Sequence, residues 1–273
     1  MNLLTYNVHY WEGSDGVTDV ERVIEVIAAS RADIIGLNEV FHPHLTAALG
    51  QPALVYMAER LGMHFAFGQA QAFSLAFDRP AQGFGNALLC RWPILAAAAH
   101  HLPAPAGHSP RGLLEARVLL PGAEQTLTLY VTHLDPRSEA VRLAQTQALL
   151  TWTARDRARP HVLMGDLNSY STADWCGYDS EAALQAAVAA QGWDALYPAQ
   201  VLPRLDKAGY TDAWILAGAG QAATYETPDA RFRIDYILLS RPLVPYLRLC
   251  RRIDAAPAAL ASDHYPLAAT LDL

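Results

Sequence analysis

The chain has 273 residues, 52% of them hydrophobic and 17% charged, a balance that supplies a large core and excludes a disordered protein. Its length is within reach of a single layered α/β domain, and residues 1–273 are expected to form one. The formal net charge of −7, without any Lys/Arg-rich run, disfavours a protein that grips long nucleic acid by its backbone, although local basic patches stay open.

In chain order, residues 3–7 read as a strand ending at Asn7. Thr18 and Glu21 have the spacing of a capping box. Val20, Val23, Ile24, Ile27 and Ala28 then recur at helical spacing, predicting an amphipathic helix. Residues 33–39 are short and apolar, a strand that ends at Glu39. A second helix is predicted over 52–61, with Leu54, Met57, Ala58 and Leu61 on one face and Gly62 as its C-terminal cap. From about 80 to 135, Gly and Pro separate strand candidates at 87–90, 113–120 and 127–131, and Pro121-Gly122 reads as a hairpin turn. Consecutive strands without a helix between them predict antiparallel pairing. Ser138 is the expected cap of a third helix, with Val141, Ala144, Ala148, Leu149 and Trp152 facing inward and Pro160 marking its end. A strand follows at 161–164. Residues 99–110 and 170–210 read as long surface loops. These elements predict a mixed β-sandwich with helices outside it.

Cys90, Cys176 and Cys250 show no CxxC spacing, which speaks against a disulfide scaffold or a structural zinc site. No apolar stretch approaches the ~20 residues of a membrane span. The chain opens on strand-like residues rather than a basic leader and apolar segment. The expectation is a reduced, cytoplasmic, monomeric protein.

Polar residues recur where these strands end. They are Asn7, Glu39, His133, the Asp166-Leu167-Asn168 triplet, Asp235 and Ser262-Asp263-His264. Each of these side chains is costly in a core unless paired or liganded. Taken singly, each also suits an ordinary strand end or an Asp/Asn turn. Together they suggest one site for a metal ion and a phosphate. Glu39 is a hard oxygen ligand suited to Mg²⁺ or Mn²⁺, and Asn7 is placed to orient it or the metal. Asp166 can activate a water while Asn168 bonds a phosphate oxygen, and Gly165 permits a close backbone approach. Asp235 can supply a carboxylate to the ring of His264, fixing its tautomer and favouring the imidazolium. His42, His44, His100, His101 and His108 lack ligand spacing. HExxH, GxSxG, Walker A and GxGxxG motifs are absent.

In order, Leu4-Thr5-Tyr6-Asn7, Gly36-Leu37-Asn38-Glu39-Val40, Gly85-Asn86-Ala87-Leu88-Leu89 and Thr132-His133-Leu134 are followed by Gly165-Asp166-Leu167-Asn168. Tyr210-Thr211-Asp212-Ala213-Trp214, Arg233-Ile234-Asp235-Tyr236-Ile237 and Ser262-Asp263-His264 complete the set. This ordered set resembles the endonuclease/exonuclease/phosphatase superfamily of deoxyribonuclease I-like phosphoesterases. The resemblance implies a four-layer α/β sandwich, two packed mixed β-sheets flanked by helices, with the site at one rim. It implies a Mg²⁺- or Mn²⁺-dependent hydrolase of a phosphate mono- or diester. Glu39 would be the main metal ligand, helped by Asn7 and Asp263. Asp166 would align or deprotonate water, and Asn168 would hold a phosphate oxygen. His264, oriented by Asp235, would stabilise the pentacovalent phosphorus, and His133 would contact phosphate or assist the leaving group. Asn86 and Arg111 could also reach phosphate, and Asp212 matches a structural position. The chain lacks the Trp-rich signature of repair-type nucleases before Arg233, the paired disulfides of secreted deoxyribonucleases and a clear membrane-binding hairpin. The first expectation is a small or lipid-derived phosphate ester as substrate. The alternatives are a DNA or RNA nuclease of the same fold and a non-catalytic binding module.

Overall fold

The computed structural model describes residues 1–45, 50–73, 82–122, 126–171, 178–190 and 199–273. Its architecture follows from strands that are apolar on both faces. Leu3 and Leu4, Ile34 and Ile35, and Tyr130 and Val131 are all fully buried neighbours. Successive strand residues point to opposite sides, so each sheet must be covered above and below.

The chain runs β1 (Asn2–Asn7), α1 (Val20–Ser30), β2 (Ile34–His42), α2 (Ala53–Leu61), β3 (His64–Phe73), β4 (Gln82–Cys90) and β5 (Ile94–Leu102). It continues with β6 (Arg111–Leu119), β7 (Thr126–His133), α3 (Glu139–Thr153), β8 (His161–Asp166), α4 (Glu181–Ala190), α5 (Val201–Lys207) and β9 (Tyr210–Asp212). It ends with α6 (Ala213–Ala217), β10 (Gly218–Ala219), β11 (Asp235–Ser240), β12 (Leu247–Arg252), α7 (Ala258–Ala261) and β13 (Leu267–Leu271).

One sheet has seven strands in the order β10-β12-β13-β1-β2-β4-β3, and the other has six in the order β5-β6-β7-β8-β11-β9. Both are mixed, because β1 pairs parallel with β2, β10 with β12 and β7 with β8, whereas pairs such as β2 with β4 and β8 with β11 are antiparallel. Leu3, Ile34 and Leu88 meet Val131, Met164 and Ile237 in the seam between the sheets. The first sheet's outer face carries Leu4, Tyr6 and Ile35 against Val23 and Ile27 of α1 and Leu54 and Met57 of α2. On the second sheet's outer face, Tyr130, Leu163 and Tyr236 lie against Leu149 of α3 and Leu205 of α5. The result is the expected four-layer α/β sandwich, two mixed sheets flanked by helices.

Local readings needed correction where polar residues decide the geometry. The N-cap of α1 is Asp19, whose carboxylate accepts from the N–H groups of Glu21 and Arg22 at 3.0 and 3.2 Å, while the backbone of Thr18 bridges to Glu12. In α1, Val26 is buried and Ala28 is exposed. The buried stripe of α3 is Val141, Arg142, Gln145, Thr146 and Leu149, so Ala144 and Trp152 face out. That stripe is polar because it holds the turn before the helix. Arg142 donates to the Asp135 carbonyl at 2.7 Å, and Gln145 accepts from the Asp135 N–H at 2.8 Å. The hydroxyl of Ser138 caps nothing; Asp135 instead accepts from the N–H groups of Arg137 and Ser138 at 2.9 and 2.8 Å.

Residues 99–102, read as loop, belong to β5, where an alanine run hides a strand paired with β6 along its length. The described part of 170–210 contains α4 and α5. Among the described residues no helix is long and apolar enough to cross a membrane.

Cys90 and Cys250 are buried and free, and Cys176 lies outside the described residues. Burial, then the nearby Asp33 carboxylate, pushes the Cys90 thiol up to about 11. Burial, then Asp212, pushes Cys250 up to about 12. The reactive species is the thiolate. Native protein treated with a thiol reagent at mildly alkaline pH should therefore carry no label on Cys90 or Cys250 by peptide mapping. Both should label once the chain is unfolded in denaturant.

Candidate active site

The inward-facing side chains of the central strands turn polar at one end of the seam. On β1 the series is Leu3, Thr5 and Asn7; on β2 it is Ile34, Gly36 and Asn38. On β7 it runs Leu129, Val131 and His133, and on β8 Val162, Met164 and Asp166. β11 runs the other way, so its first residue, Asp235, reaches the same rim. Strand register aligns these ends directly, pairing Asn7 with Asn38, His133 with Asp166, and Asp166 with Asp235. The fold thus converts residues far apart in sequence into one cluster.

Asn38 ties the rim together. Its Oδ1 accepts from the Asp166 N–H at 2.9 Å, and its Nδ2 donates to the Thr132 carbonyl at 2.9 Å and to Asn86 Oδ1 at 2.8 Å. Asp166 and Thr132 belong to one sheet and Asn86 to the other, so one buried amide staples the two sheets beside the site. Close approach is possible because Gly36 lacks a side chain; a Cβ there would lie 3.1 Å from Met164 and Val131. Gly165 plays the same part across the site, where a Cβ would overlap the Thr132 carbonyl at 1.9 Å.

Strand alternation would turn Glu39 away from the seam. A register shift between Leu37 and Val40, with Glu39 at φ 57°, turns it back. Its Oε1 accepts from Asn7 Nδ2 at 3.1 Å, and the same nitrogen donates to Asp166 Oδ2 at 3.1 Å. Asn7 Oδ1 accepts from the His9 N–H at 3.1 Å. The amide of Asn7 therefore presents its nitrogen to the carboxylates, not the oxygen expected of a metal ligand. The residues just beyond, His9, Tyr10 and Trp11, form a left-handed turn with φ of 40°, 54° and 70°. This turn sets Tyr10 beside Glu39, and burial followed by the Glu39 carboxylate raises the Tyr10 hydroxyl.

His264 Nδ1 lies 2.8 Å from Asp235 Oδ2, and its Nε2 is 3.8 Å from Asp166 Oδ2. Burial alone would depress His264, but the Asp235 charge and hydrogen bond, aided by Asp166 and Asp263, lift it to about 10. Burial, then Asp235, pushes Asp166 up to about 7 against the opposing pull of His264. His133 behaves in the opposite way. Burial, then the positive charges of Arg111 and His264, holds it well below the ordinary imidazole range. Arg111 Nη1 donates to His133 Nδ1 at 3.2 Å. On the other side of the ring, Nε2 is 2.9 Å from Asn168 Nδ2 and 3.5 Å from Asp166 Oδ2. Asn168 adopts φ 46°, so the chain turns directly after β8. The turn lets the Asn168 N–H donate to Asp166 Oδ1 at 2.8 Å.

Asp166, Asp235 and His264 offer donor atoms within 4.8 Å of one another. Asp235 and His264 already satisfy each other, however. Two carboxylate oxygens, Glu39 Oε2 and Asp235 Oδ1, are buried without a hydrogen-bond partner. Such an oxygen is costly to bury bare. The free Glu39 oxygen gives the rim an open valence that fits a hard cation.

The remaining expected residues are placed differently. Asp263 is partly exposed, with Oδ1 3.9 Å from both His9 Nδ1 and His264 Nε2. Asn86 donates to the Gly112 and Val131 carbonyls and accepts from Asn38, so its amide is used up inside the protein and is removed from the phosphate contacts. Asp212 lies away from the cluster, paired with Arg233 at 2.8 Å and capping α6.

Sequence reasoning missed Asn38, Tyr10 and Tyr225, whose ring centroid is 4.8 Å from that of His264. Only Asn38 had a signal, its two-residue spacing from Gly36 on the inner face of β2.

The model of the Endonuclease/Exonuclease/phosphatase family matches residues 4–264. No curated protein matches the chain. Among solved structures, an endonuclease/exonuclease/phosphatase protein from Beutenbergia cavernae is 22% identical with a TM-score of 0.76, covering 100% of this chain and 71% of its own. A mannosyl-6-phosphatase from Bacteroides thetaiotaomicron is 16% identical with a TM-score of 0.69, covering 100% of both chains. A 3′-5′ exonuclease from Neisseria meningitidis is 20% identical with a TM-score of 0.66, again covering 100% of both.

Asn38→Ala strips partners from buried groups on both sheets. It should cost about 2–4 kcal/mol of stability by urea denaturation. Asp135→Asn tests the turn that carries His133. Burial would raise Asp135, yet hydrogen bonds from His108 and from the Ser138 and Arg137 N–H groups bring it below its ordinary 3.8. Its contribution is therefore present above that value and is lost as pH falls through the lower folded value. The variant should be less stable than the parent by about 1–2 kcal/mol at neutral pH. That gap should close in urea titrations at increasingly acid pH.

Proposed function

The chain belongs to the endonuclease/exonuclease/phosphatase family, and from that premise we propose that it is a Mg²⁺- or Mn²⁺-dependent phosphoesterase. It would hydrolyse a phosphate mono- or diester by in-line attack of water. The observation that carries this reading is the buried juxtaposition of Asp166, Asp235 and His264 beside the unpartnered Glu39 oxygen.

Glu39 and Asp263 would hold the cation, with Asn7 donating to Glu39 and fixing its orientation. The bound cation would neutralise phosphoryl oxygens and favour a deprotonated water. Asp166, raised to about 7, is suited to take a proton from the attacking water at Oδ2. His264 keeps its proton at neutral pH because of Asp235, so it supplies a fixed positive charge to the phosphoryl oxygens as the transition state forms. Arg111 adds a second buried cation, with its Nε without a partner. Neutral His133 and the Asn168 amide lie between Arg111 and Asp166, placed to bond phosphate oxygens or the leaving group. No covalent nucleophile is required.

A small phosphate ester is the favoured substrate, given the net charge of −7. A nuclease remains the second reading, supported by the similarity to the Neisseria meningitidis exonuclease.

With a panel of phosphate mono- and diesters, EDTA should abolish turnover and Mg²⁺ or Mn²⁺ should restore it. Asp166→Asn and His264→Ala should each lower kcat by about 10²-fold or more with the chain still folded. Glu39→Gln should raise the cation concentration needed for half-maximal rate. Turnover that survives EDTA would overturn the metal assignment. Nicking of plasmid or abasic-site DNA that outpaces every small ester, and is lost in Asp166→Asn, would select the nuclease.

A further inference from the structure

A second cavity, of about 360 Å³, opens at the opposite ends of two strands that carry the catalytic carboxylates. β8 begins there with His161 and ends at Asp166, while β11 begins at Asp235 and ends there with Ser240. Five residues of extended chain separate His161 from Asp166, about 17 Å at about 3.3 Å per residue.

Three cations line this cavity, Arg157, Lys207 and Arg241. Among the described residues none of their side chains has an ion pair or hydrogen bond. Elsewhere some arginines, such as Arg22, Arg60, Arg91 and Arg142, are paired with carboxylates, and other exposed ones, such as Arg31 and Arg137, are not. The chain has more acids than bases, yet no carboxylate lines this cavity beside the three cations. Lys207 is in the last turn of α5, where the helix dipole favours a cation. Arg241 has no such reason. It opens a 3₁₀ turn, Arg241–Tyr246, at the positive end. Its side chain reaches over Gly209, with Nε 3.6 Å from where a Cβ would lie.

The floor is polar and buried. Ser240 Oγ accepts from the His161 N–H at 2.9 Å. His161 Nδ1 lies 3.0 Å from the Arg159 carbonyl and Nε2 lies 3.1 Å from the Tyr210 hydroxyl. The carbonyl can only accept, so Nδ1 carries the proton and Nε2 receives one from Tyr210. Burial holds His161 below its ordinary range, against the raising effect of the buried Asp156 carboxylate behind it. Among the residues that line the cavity, the charged ones are the three cations. A volume of about 300–1,000 Å³ is usual for a small-molecule site.

We propose that this cavity binds a small phosphate-bearing anion, held by Arg157, Lys207 and Arg241 and separate from the catalytic rim. The site does not depend on the proposed phosphoesterase reading.

Lys207 is the chain's sole lysine, which makes it a reporter. Pyridoxal 5′-phosphate is the probe, and pyridoxal, without the phosphate, is its control. The Nζ of Lys207 adds to the aldehyde carbon with loss of water. Borohydride then delivers hydride to the imine carbon and solvent supplies the proton on nitrogen, which fixes the label for peptide mapping. With EDTA present and free Nα-acetyl-lysine as internal standard, the ratio of Lys207 to standard should be about tenfold higher for the phosphorylated aldehyde, a difference equivalent to one decade of affinity. Inorganic phosphate should suppress labelling more than chloride at equal ionic strength. The double variant Arg157→Gln, Arg241→Gln should lose both effects while melting like the parent. The proposal is overturned if both aldehydes give the same ratio, if phosphate protects no better than chloride, or if the double variant keeps the preference. Because no other lysine exists, occupation of the catalytic rim by either probe cannot mimic the result.

Discussion

The buried amide of Asn38 is the constraint on which the rest of the site depends. A seam between sheets is normally held by apolar contact, which is strong but indifferent to sliding. Hydrogen bonds to the Asp166 N–H, the Thr132 carbonyl and Asn86 Oδ1 are directional, so they fix where one sheet sits along the other. The cluster draws Asn7 and Glu39 from one sheet and His133, Asp166 and Asp235 from the other. A slip of the seam would separate them, which is why the staple lies next to the chemistry.

Within that frame, similar residues receive opposite assignments. His264 and His133 are both buried, yet one faces Asp235 and is held as a cation, while the other faces Arg111 and is held neutral. Asp166 stands opposite Asp235 in register and is pushed up to about 7, while Asp235 binds the ring of His264. Environment, not residue type, separates the roles. The same logic leaves Glu39 with one oxygen satisfied by Asn7 and one oxygen bare.

Much of this was legible in the sequence because alternation puts a polar residue at the inner end of each central strand, and a polar residue after an apolar run is conspicuous. Asn7, His133 and Asp166 were visible in that way, whereas Asp235 opens its apolar strand and His264 lies between α7 and β13. Asn38 was read only as part of a strand, because its spacing from Gly36 marks a shared face but not the distant groups that face meets. The alanines of β5 concealed a strand, since alanine has little strand preference and the partner on β6 supplies the pairing. The inner face of α3 was misread because it binds backbone groups of the Asp135 turn instead of oil. In each case a partner outside the element decides the outcome.

The left-handed turn at His9, Tyr10 and Trp11 has an evolutionary consequence. Each non-glycine residue in that conformation costs about 1 kcal/mol or more, so at the partly exposed His9 and Tyr10 folding alone would reward replacement by glycine or asparagine. Trp11, fully buried, anchors one end of the turn, and the Asn7–His9 bond anchors the other. Drift at His9 and Tyr10 would yield hardier chains with a loosened wall beside Glu39. Lineages retaining bulky residues at His9 and Tyr10 would thus be those in which selection on catalysis outweighs selection on fold stability, a signature that can be sought in natural variation without assaying a substrate.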